Sequence, residues 1–315
     1  MPREKVVRWK PVPAPSLANW PGLVKELSKG RLAALVVLTT MCGYALAPGA
    51  ADLATMFWTT TGTALCVSSA NTINQWLEVP FDAQMARTRQ RALVRRACAP
   101  LDAFTFGITT GISGVGILWH CVNPTTAVLG AANILLYTAV YTPMKRRSIV
   151  NTWAGAIVGA IPPVMGWAAC TGTIDPSALT LGLVLYAWQF PHFNSLSYLI
   201  RAEYAKAGYH MASVLRPSLN TASALRNSLL LLPTGVALPW LGVTTWWFAA
   251  DVAAVNLLLC AGAWRFWQDP NNNTARKLFF GSLVYLPLFF GLSLLHKKDD
   301  AAEQPAAPAV VEAVE

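Results

Sequence analysis

Charged residues are scarce in this chain: Asp, Glu, Lys and Arg make up 12% of its 315 residues. That is about half the share of an ordinary soluble domain. So little charge cannot coat a soluble fold of this size, and with 54% hydrophobic residues the surplus apolar surface must face lipid. The cysteines at 42, 66, 98, 121, 170 and 260 show no CxxC spacing, which excludes a zinc site of that pattern and a disulfide framework. No internal repeat is visible. The net charge of +9 is not gathered into one basic patch, so it does not mark a nucleic-acid surface. The first thirty residues are basic but have no apolar signal core. Carrying Pro11, Pro13, Pro15 and Pro21, they do not read as a cleaved secretory peptide. A mitochondrial presequence stays open as an alternative, with Glu4 and the prolines arguing against a clean amphipathic helix.

What is abundant is apolar length. Runs long enough for a helix to cross the hydrocarbon core fall near residues 31–48, 53–78, 102–121, 124–143, 150–170, 178–199, 224–243, 245–264 and 277–296. The pattern predicts an all-α polytopic bundle of about nine spans around a central cavity. Tight links at Asn123-Pro124 and Gly242 suit helical hairpins, and Pro233 and Pro239 interrupt the seventh run. Placing the N-terminus on the cytoplasmic or matrix side puts all but Lys297 and Lys298 of the 24 Lys and Arg on that side, the asymmetry expected of membrane topology. Thirteen Trp suit the headgroup boundaries. Residues 1–30 form a basic leading segment, 31–296 the membrane domain, and 297–315 an Ala-, Pro- and Glu-containing tail expected to be disordered.

Three stretches carry chemistry. In the first, 71–96, Asn74, Glu78 and Asp82 are spaced i, i+4, i+8 and share one helix face even if Pro80 loosens the helix. Carboxylates at a membrane helix end are costly and usually serve a site. Hard oxygen ligands so spaced suit Mg²⁺ together with phosphate oxygens. Arg87, Thr88 and Arg91 follow and could hold the anionic end of a substrate. The bland alternative is a charged helix end reaching for water.

In the second stretch, 141–167, Tyr141, Lys145 and Arg146 lie on the same membrane side. Asn151, Gly155 and Gly159 recur every four residues, permitting close helix approach, and Pro162-Pro163 should break or kink the helix beside a cavity. In the third, 186–211, His192 sits in an apolar run, either as a packing residue or as an acid/base group or haem-iron ligand. Glu203 and Tyr204 arrive at the basic side, Glu203 as a third carboxylate for the metal.

In this order the stretches resemble the protohaem IX farnesyltransferases of the intramembrane prenyltransferase superfamily, over nearly all of residues 31–296. The first element is read at Asn74, Glu78, Asp82, Met85, Arg87 and Thr88, the second from Tyr141 to Trp167, and the third from Trp188 to Gly208. The wording Glu78-Val79-Pro80-Phe81-Asp82 is closer to the mitochondrial branch. Two departures stand out: Arg91-Ala92-Leu93 lacks the family's proline, and Glu203 replaces an Asp. Gln75 and Glu78 stand where quinone-directed relatives carry aspartates.

The resemblance implies farnesyl diphosphate and haem B as substrates and Mg²⁺ held by Glu78, Asp82 and Glu203. It implies a diphosphate clamp including Arg87, Lys145 and Arg146, with Asn151 and Tyr204 in the substrate site and Asn74 and His192 in the catalytic set. Arg91, Arg95 and Arg96 would meet the haem propionates. The setting implied is the mitochondrial inner membrane with its basic loops on the matrix side (or a bacterial plasma membrane). A haem A synthase is the implied downstream partner. The alternatives are a prenyltransferase for an aromatic or quinone precursor, and a transporter or haem carrier.

Overall fold

The computed structural model describes residues 17–49 and 52–298. Residues 1–16 of the basic leading segment lie outside the described residues, as do residues 299–315 of the tail for which disorder is expected. After a 3₁₀ turn at Leu17–Asn19 come α1 (Trp20–Leu27), α2 (Gly30–Leu46), α3 (Leu53–Asp82) and α4 (Pro100–Cys121). Next, α5 (Pro124–Leu135) runs through a π-helical turn at Leu136–Tyr141 into α6 (Thr142–Met144). The chain continues with α7 (Asn151–Thr171), α8 (Pro176–Leu199), α9 (Arg201–Lys206), α10 (Ala212–Leu215), α11 (Pro217–Trp240), α12 (Trp246–Gln268) and α13 (Asn272–Leu295).

Each predicted apolar run coincides with a helical segment, though α3 continues four residues past the expected end and α11 starts seven residues early. Five segments, Pro100–Cys121, Pro124–Met144, α7, α12 and α13, are long and apolar enough to cross a membrane by length and composition. The reason α3 falls short is informative. Its buried residues are largely polar (Thr59, Thr63, Ser69, Asn71, Asn74, Gln75, Glu78 and Asp82), while Phe57, Trp58, Trp76 and Leu77 are exposed. An inside-out helix of this kind suits lipid outside and a polar interior.

Starts and stops follow local chemistry. Asp52 caps α3 by accepting from Thr55 N at 2.8 Å, and Asp175 caps α8 from Ala178 N at 2.9 Å. Gly242, at φ 79°, makes the tight link between α11 and α12. On the side opposite the basic loops, Lys297 Nζ donates to the carbonyls of Ala45 and Ala47 at 2.9 and 2.7 Å, tying the end of α13 to the end of α2.

Pro162-Pro163 does not break α7, and Pro233 does not break α11; both helices run through. Both α7 prolines are buried, and α2 lies directly against Pro163. There a Cβ on Gly43 would stand 2.1 Å from the Pro163 carbonyl oxygen, and one on Gly166 1.8 Å from that of Thr40. Backbone meets backbone at this crossing, the use of small residues in membrane packing. The Gly155 and Gly159 ladder does something else. Gly155 makes room for the Tyr141 ring and Gly159 for the Gln189 side chain, so they are sockets for side chains rather than a helix seam.

Gly166→Ala should therefore lower stability in detergent by about 1–3 kcal/mol or more. Gly116→Ala, where a Cβ meets nothing within 4 Å, should leave it unchanged or slightly raised. Thermal unfolding of the two variants checks this.

Candidate active site

The last turn of α3 buries two carboxylates, Glu78 at 5% and Asp82 at 1% exposure. Such groups persist only when paired. Lys145 Nζ donates to Glu78 Oε1 at 2.8 Å, and Arg91 pairs with Asp82 while standing 3.9 Å from Glu78 Oε2. Both cations arrive from outside the helix. Arg91 is returned by the turn-rich segment 83–99, where Thr88 Oγ1 donates to the Asp82 carbonyl at 3.0 Å and Ala92, Leu93 and Cys98 pack beneath Leu23 and Leu27 of α1. Lys145 follows the π-helical turn. Directly after that turn, Thr142 Oγ1 donates to Tyr137 O at 2.9 Å and accepts from Asn74 Nδ2 at 2.9 Å. Turns of this type are frequent at functional sites. Burial works against the Lys145 charge, but Glu78 facing it wins and holds its pKa well above that of an ordinary lysine.

A third cation completes the cage, one that sequence reasoning counted only as a topological charge. Lys29, in the left-handed elbow between α1 and α2 (φ 51°), directs its enclosed ammonium to Asn74 Oδ1 at 2.8 Å and Tyr137 OH at 3.4 Å. The elbow is held by side-chain amides of α3. Asn71 Nδ2 donates to Ser28 O at 3.0 Å, and Gln75 Nε2 to Leu27 O at 2.7 Å and Glu26 O at 3.2 Å. Arg95 pairs with Glu26 at 2.6 Å and pins α1 from the other side. Burial of the ammonium lowers the Lys29 pKa to about 7, helped by Arg91 and Lys145 and opposed by Glu78 and Asp82. Beside this elbow opens an apolar cavity of about 100 Å³, reaching from Asn71 and Tyr137 past Leu32 and Val36 to Cys66 and Met165.

The other predicted residues are placed as follows. Tyr141 lies 4.6 Å under the Lys145 ammonium. Asn151 ties two loops, donating to Ser148 O at 2.7 Å and His210 O at 2.9 Å. Tyr204 is buried against Tyr209 with ring centroids 5.9 Å apart. Arg87 is exposed, and its backbone N–H donates to Glu203 Oε2 at 3.3 Å. Arg146 stacks on Phe81 at 4.6 Å rather than pairing with either carboxylate. His192 is turned to α13, stacked between Trp188 and Phe279 at 4.8 and 5.0 Å and sharing a hydrogen bond with Ser282 Oγ at 3.0 Å. Arg95, engaged by Glu26, and Arg91, engaged by Asp82, are already paired.

Glu78 and Asp82 offer only oxygen ligands, and Asp82 Oδ1 is buried without a hydrogen-bond partner. That donor set fits a hard cation such as Mg²⁺, which takes one or two carboxylates and completes its shell with phosphate and water oxygens. Among the described residues no group of three His, Cys, Asp or Glu forms a cluster able to hold a metal. The structure therefore brings together two of the three expected ligands.

The sequence profile of the UbiA prenyltransferase family matches residues 36–290. A protein of Yarrowia lipolytica named "Protoheme IX farnesyltransferase, mitochondrial" is 49% identical over 89% of this chain and 63% of its own length. The human protein of the same name is 47% identical over 96% of this chain and 68% of its own. This chain thus spans about two thirds of the length of those curated relatives. Its fold matches a digeranylgeranylglyceryl phosphate synthase at TM-score 0.76 and 13% identity, over 88% of this chain and 98% of the other. It also matches a UbiA homologue of Archaeoglobus fulgidus bound to DMAPP and Mg²⁺ at TM-score 0.64 and 12% identity, over 86% and 98%.

The Lys29 environment has a pH signature. The folded chain releases this proton near pH 7, while an unfolded lysine holds it to about 10.4. Between those values the unfolded state binds more protons, so the Lys29 contribution makes stability rise with pH by up to about 1.4 kcal/mol per unit. Unfolding of the Lys29→Met chain in detergent from pH 6 to 9 should show a flatter profile than the parent. Equal slopes would contradict the burial of this cation.

Proposed function

This chain belongs to the UbiA prenyltransferase family, and we propose that it transfers the farnesyl group of farnesyl diphosphate to a vinyl group of haem B, releasing diphosphate and giving haem O. The observation that carries the transferase reading is the buried cluster of Glu78 and Asp82 with Lys145, Arg91 and Lys29, set beside an apolar cavity. A prenyl diphosphate has the same division, an anionic head on an apolar tail. The choice of acceptor rests on the mitochondrial relatives named for protoheme IX farnesyl transfer.

Lys29, Lys145 and Arg91 bind the diphosphate and stabilise the charge that grows on it as the allylic C–O bond breaks. Fixed cations in a water-poor site do this without reorganising. Asn74 holds Lys29 and Thr142 in register through its two amide atoms. The farnesyl tail lies along Leu32, Val36 and Met165, where little water reaches the allylic cation. The vinyl electrons form the new C–C bond. Water then adds to the cation left on the acceptor and gives up a proton. Glu78 and Asp82 would hold Mg²⁺, which when bound supplies further positive charge to the phosphate oxygens.

The domain performing this is residues 31–296, with its helical runs crossing the mitochondrial inner membrane and its basic loops on the matrix side. A haem A synthase is the partner expected to take the product. Glu203 stands by Arg87 at the same face, and Thr88 positions Asp82 through the main chain.

In membranes supplied with farnesyl diphosphate and haem B, the parent chain should yield farnesylated haem, and EDTA should abolish it. Asp82→Asn should reduce the rate by about a hundredfold or more, the scale of removing one electrostatic group from a transition-state clamp. Prenylation of 4-hydroxybenzoate in place of haem would reassign the acceptor, and full activity of Asp82→Asn would remove this cluster from the reaction.

A further inference from the structure

A second cavity, also of about 100 Å³, abuts the cage from a different direction. It shares no lining residue with the cavity assigned to the tail. Leu77, Phe81, Pro143 and Tyr209 form its apolar walls, Glu78 and Thr142 its inner end, and Arg146 its rim. The Asn74–Thr142 hydrogen bond links the two sides, since Asn74 also receives Lys29. A molecule seated here would meet the Glu78 end of the cage from outside the tail cavity. Leu77 is 37% exposed and Arg146 is exposed, so the pocket opens outward and would grip only one end of a large ligand.

Arg146 gives the pocket its character. Lys145 is engaged by Glu78, Arg91 by Asp82 and Arg95 by Glu26, while Arg87 and Arg96 are exposed and line neither cavity. Among the described residues Arg146 has no ion pair. Its guanidinium is laid on the Phe81 ring at 4.6 Å, which holds the charge at the mouth of the pocket. Aromatic walls with an uncommitted guanidinium at the rim complement a flat apolar ring that carries a carboxylate at one edge.

We propose that this pocket is the acceptor site, receiving haem B edge-on with Arg146 paired to a propionate and the vinyl edge directed to Glu78 and Thr142. The assignment rests on the haem farnesyl reading above. It moves Arg146 from the diphosphate clamp to the acceptor, and it moves the propionate contact from Arg91, Arg95 and Arg96 to the one guanidinium that lines this pocket.

The test uses the whole chain in detergent, with haem B and its dimethyl ester as alternative acceptors. Arg146→Ala should raise the KM for haem B about tenfold or more, the scale of a lost charge-assisted hydrogen bond. It should leave the KM for farnesyl diphosphate and the KM for the ester as in the parent, so the parent's preference for the free acid disappears. Arg146→Lys should restore part of that preference. Leu77→Trp, which fills the pocket without touching charge, should weaken both acceptors alike. Haem titrations followed in the Soret band without farnesyl diphosphate should rank the variants in the same order. A KM effect confined to farnesyl diphosphate, or an unaltered preference for haem B over its ester, overturns the assignment. Absence of haem farnesylation by the parent chain would instead overturn the function on which it rests.

Discussion

Two carboxylates buried at the end of a helix in an apolar bundle set the terms for everything around them. Glu78 and Asp82 cannot stay ionised away from water unless cations are brought to them. No residue within α3 supplies one, since the helix has no Lys or Arg. Arg91 is therefore folded back by the 83–99 segment, Lys145 is delivered by the π-helical turn, and Lys29 is inserted from an elbow that α3 holds with Asn71 and Gln75. The inside-out polarity of α3 follows from the same demand. The amides of Asn71, Asn74 and Gln75 face inward because they hold Lys29 and its elbow, and Phe57, Trp58 and Trp76 are left for lipid.

The sequence made one side of this cage legible and hid the other. The i, i+4, i+8 spacing on one helix was enough to group Asn74, Glu78 and Asp82, because helical geometry alone places them together. Membrane sidedness then brought Lys145 to the same face. Lys29 carried no such signal. Its contact with Asn74 spans 45 positions and depends on α1 docking over the 83–99 segment, and a basic residue ahead of a span reads as ordinary topology. Glu203 and His192 show the converse. Their membrane depth was readable, but their direction was not. Glu203 turns to the Arg87 main chain, and His192 to an aromatic stack with α13. Likewise, the paired prolines of α7 signal a helix break only in isolation. In the bundle, α2 packs against the Pro163 backbone at Gly43, and the helix continues.

The π-helical turn at Leu136–Tyr141 joins the two halves of the site. It directs Tyr137 toward Lys29 and the tail cavity, and Thr142 toward Asn74 and the second cavity. Gly155 leaves room for the Tyr141 ring, which in turn lies under the Lys145 ammonium. A single irregular turn thus connects tail, head and acceptor ends of the proposed reaction. A regular helix would move Thr142 around the axis by the angle of one residue and part it from Asn74.

Charge balance argues for how such a cage is used. When all five groups are ionised, the three cations exceed the two carboxylates by one. Burial holds the Lys29 pKa near 7, so the resting cage stays close to neutral around that pH. A diphosphate ester brings several negative charges, more than one added proton on Lys29 returns. In the proposed reaction, therefore, further positive charge must enter with the substrate. The oxygen-only pair, with one Asp82 oxygen unpartnered, suits a hard divalent ion that shares its shell with phosphate. Two carboxylates already matched by cations make a poor resident site for a metal, and a much better one once a phosphate engages those cations.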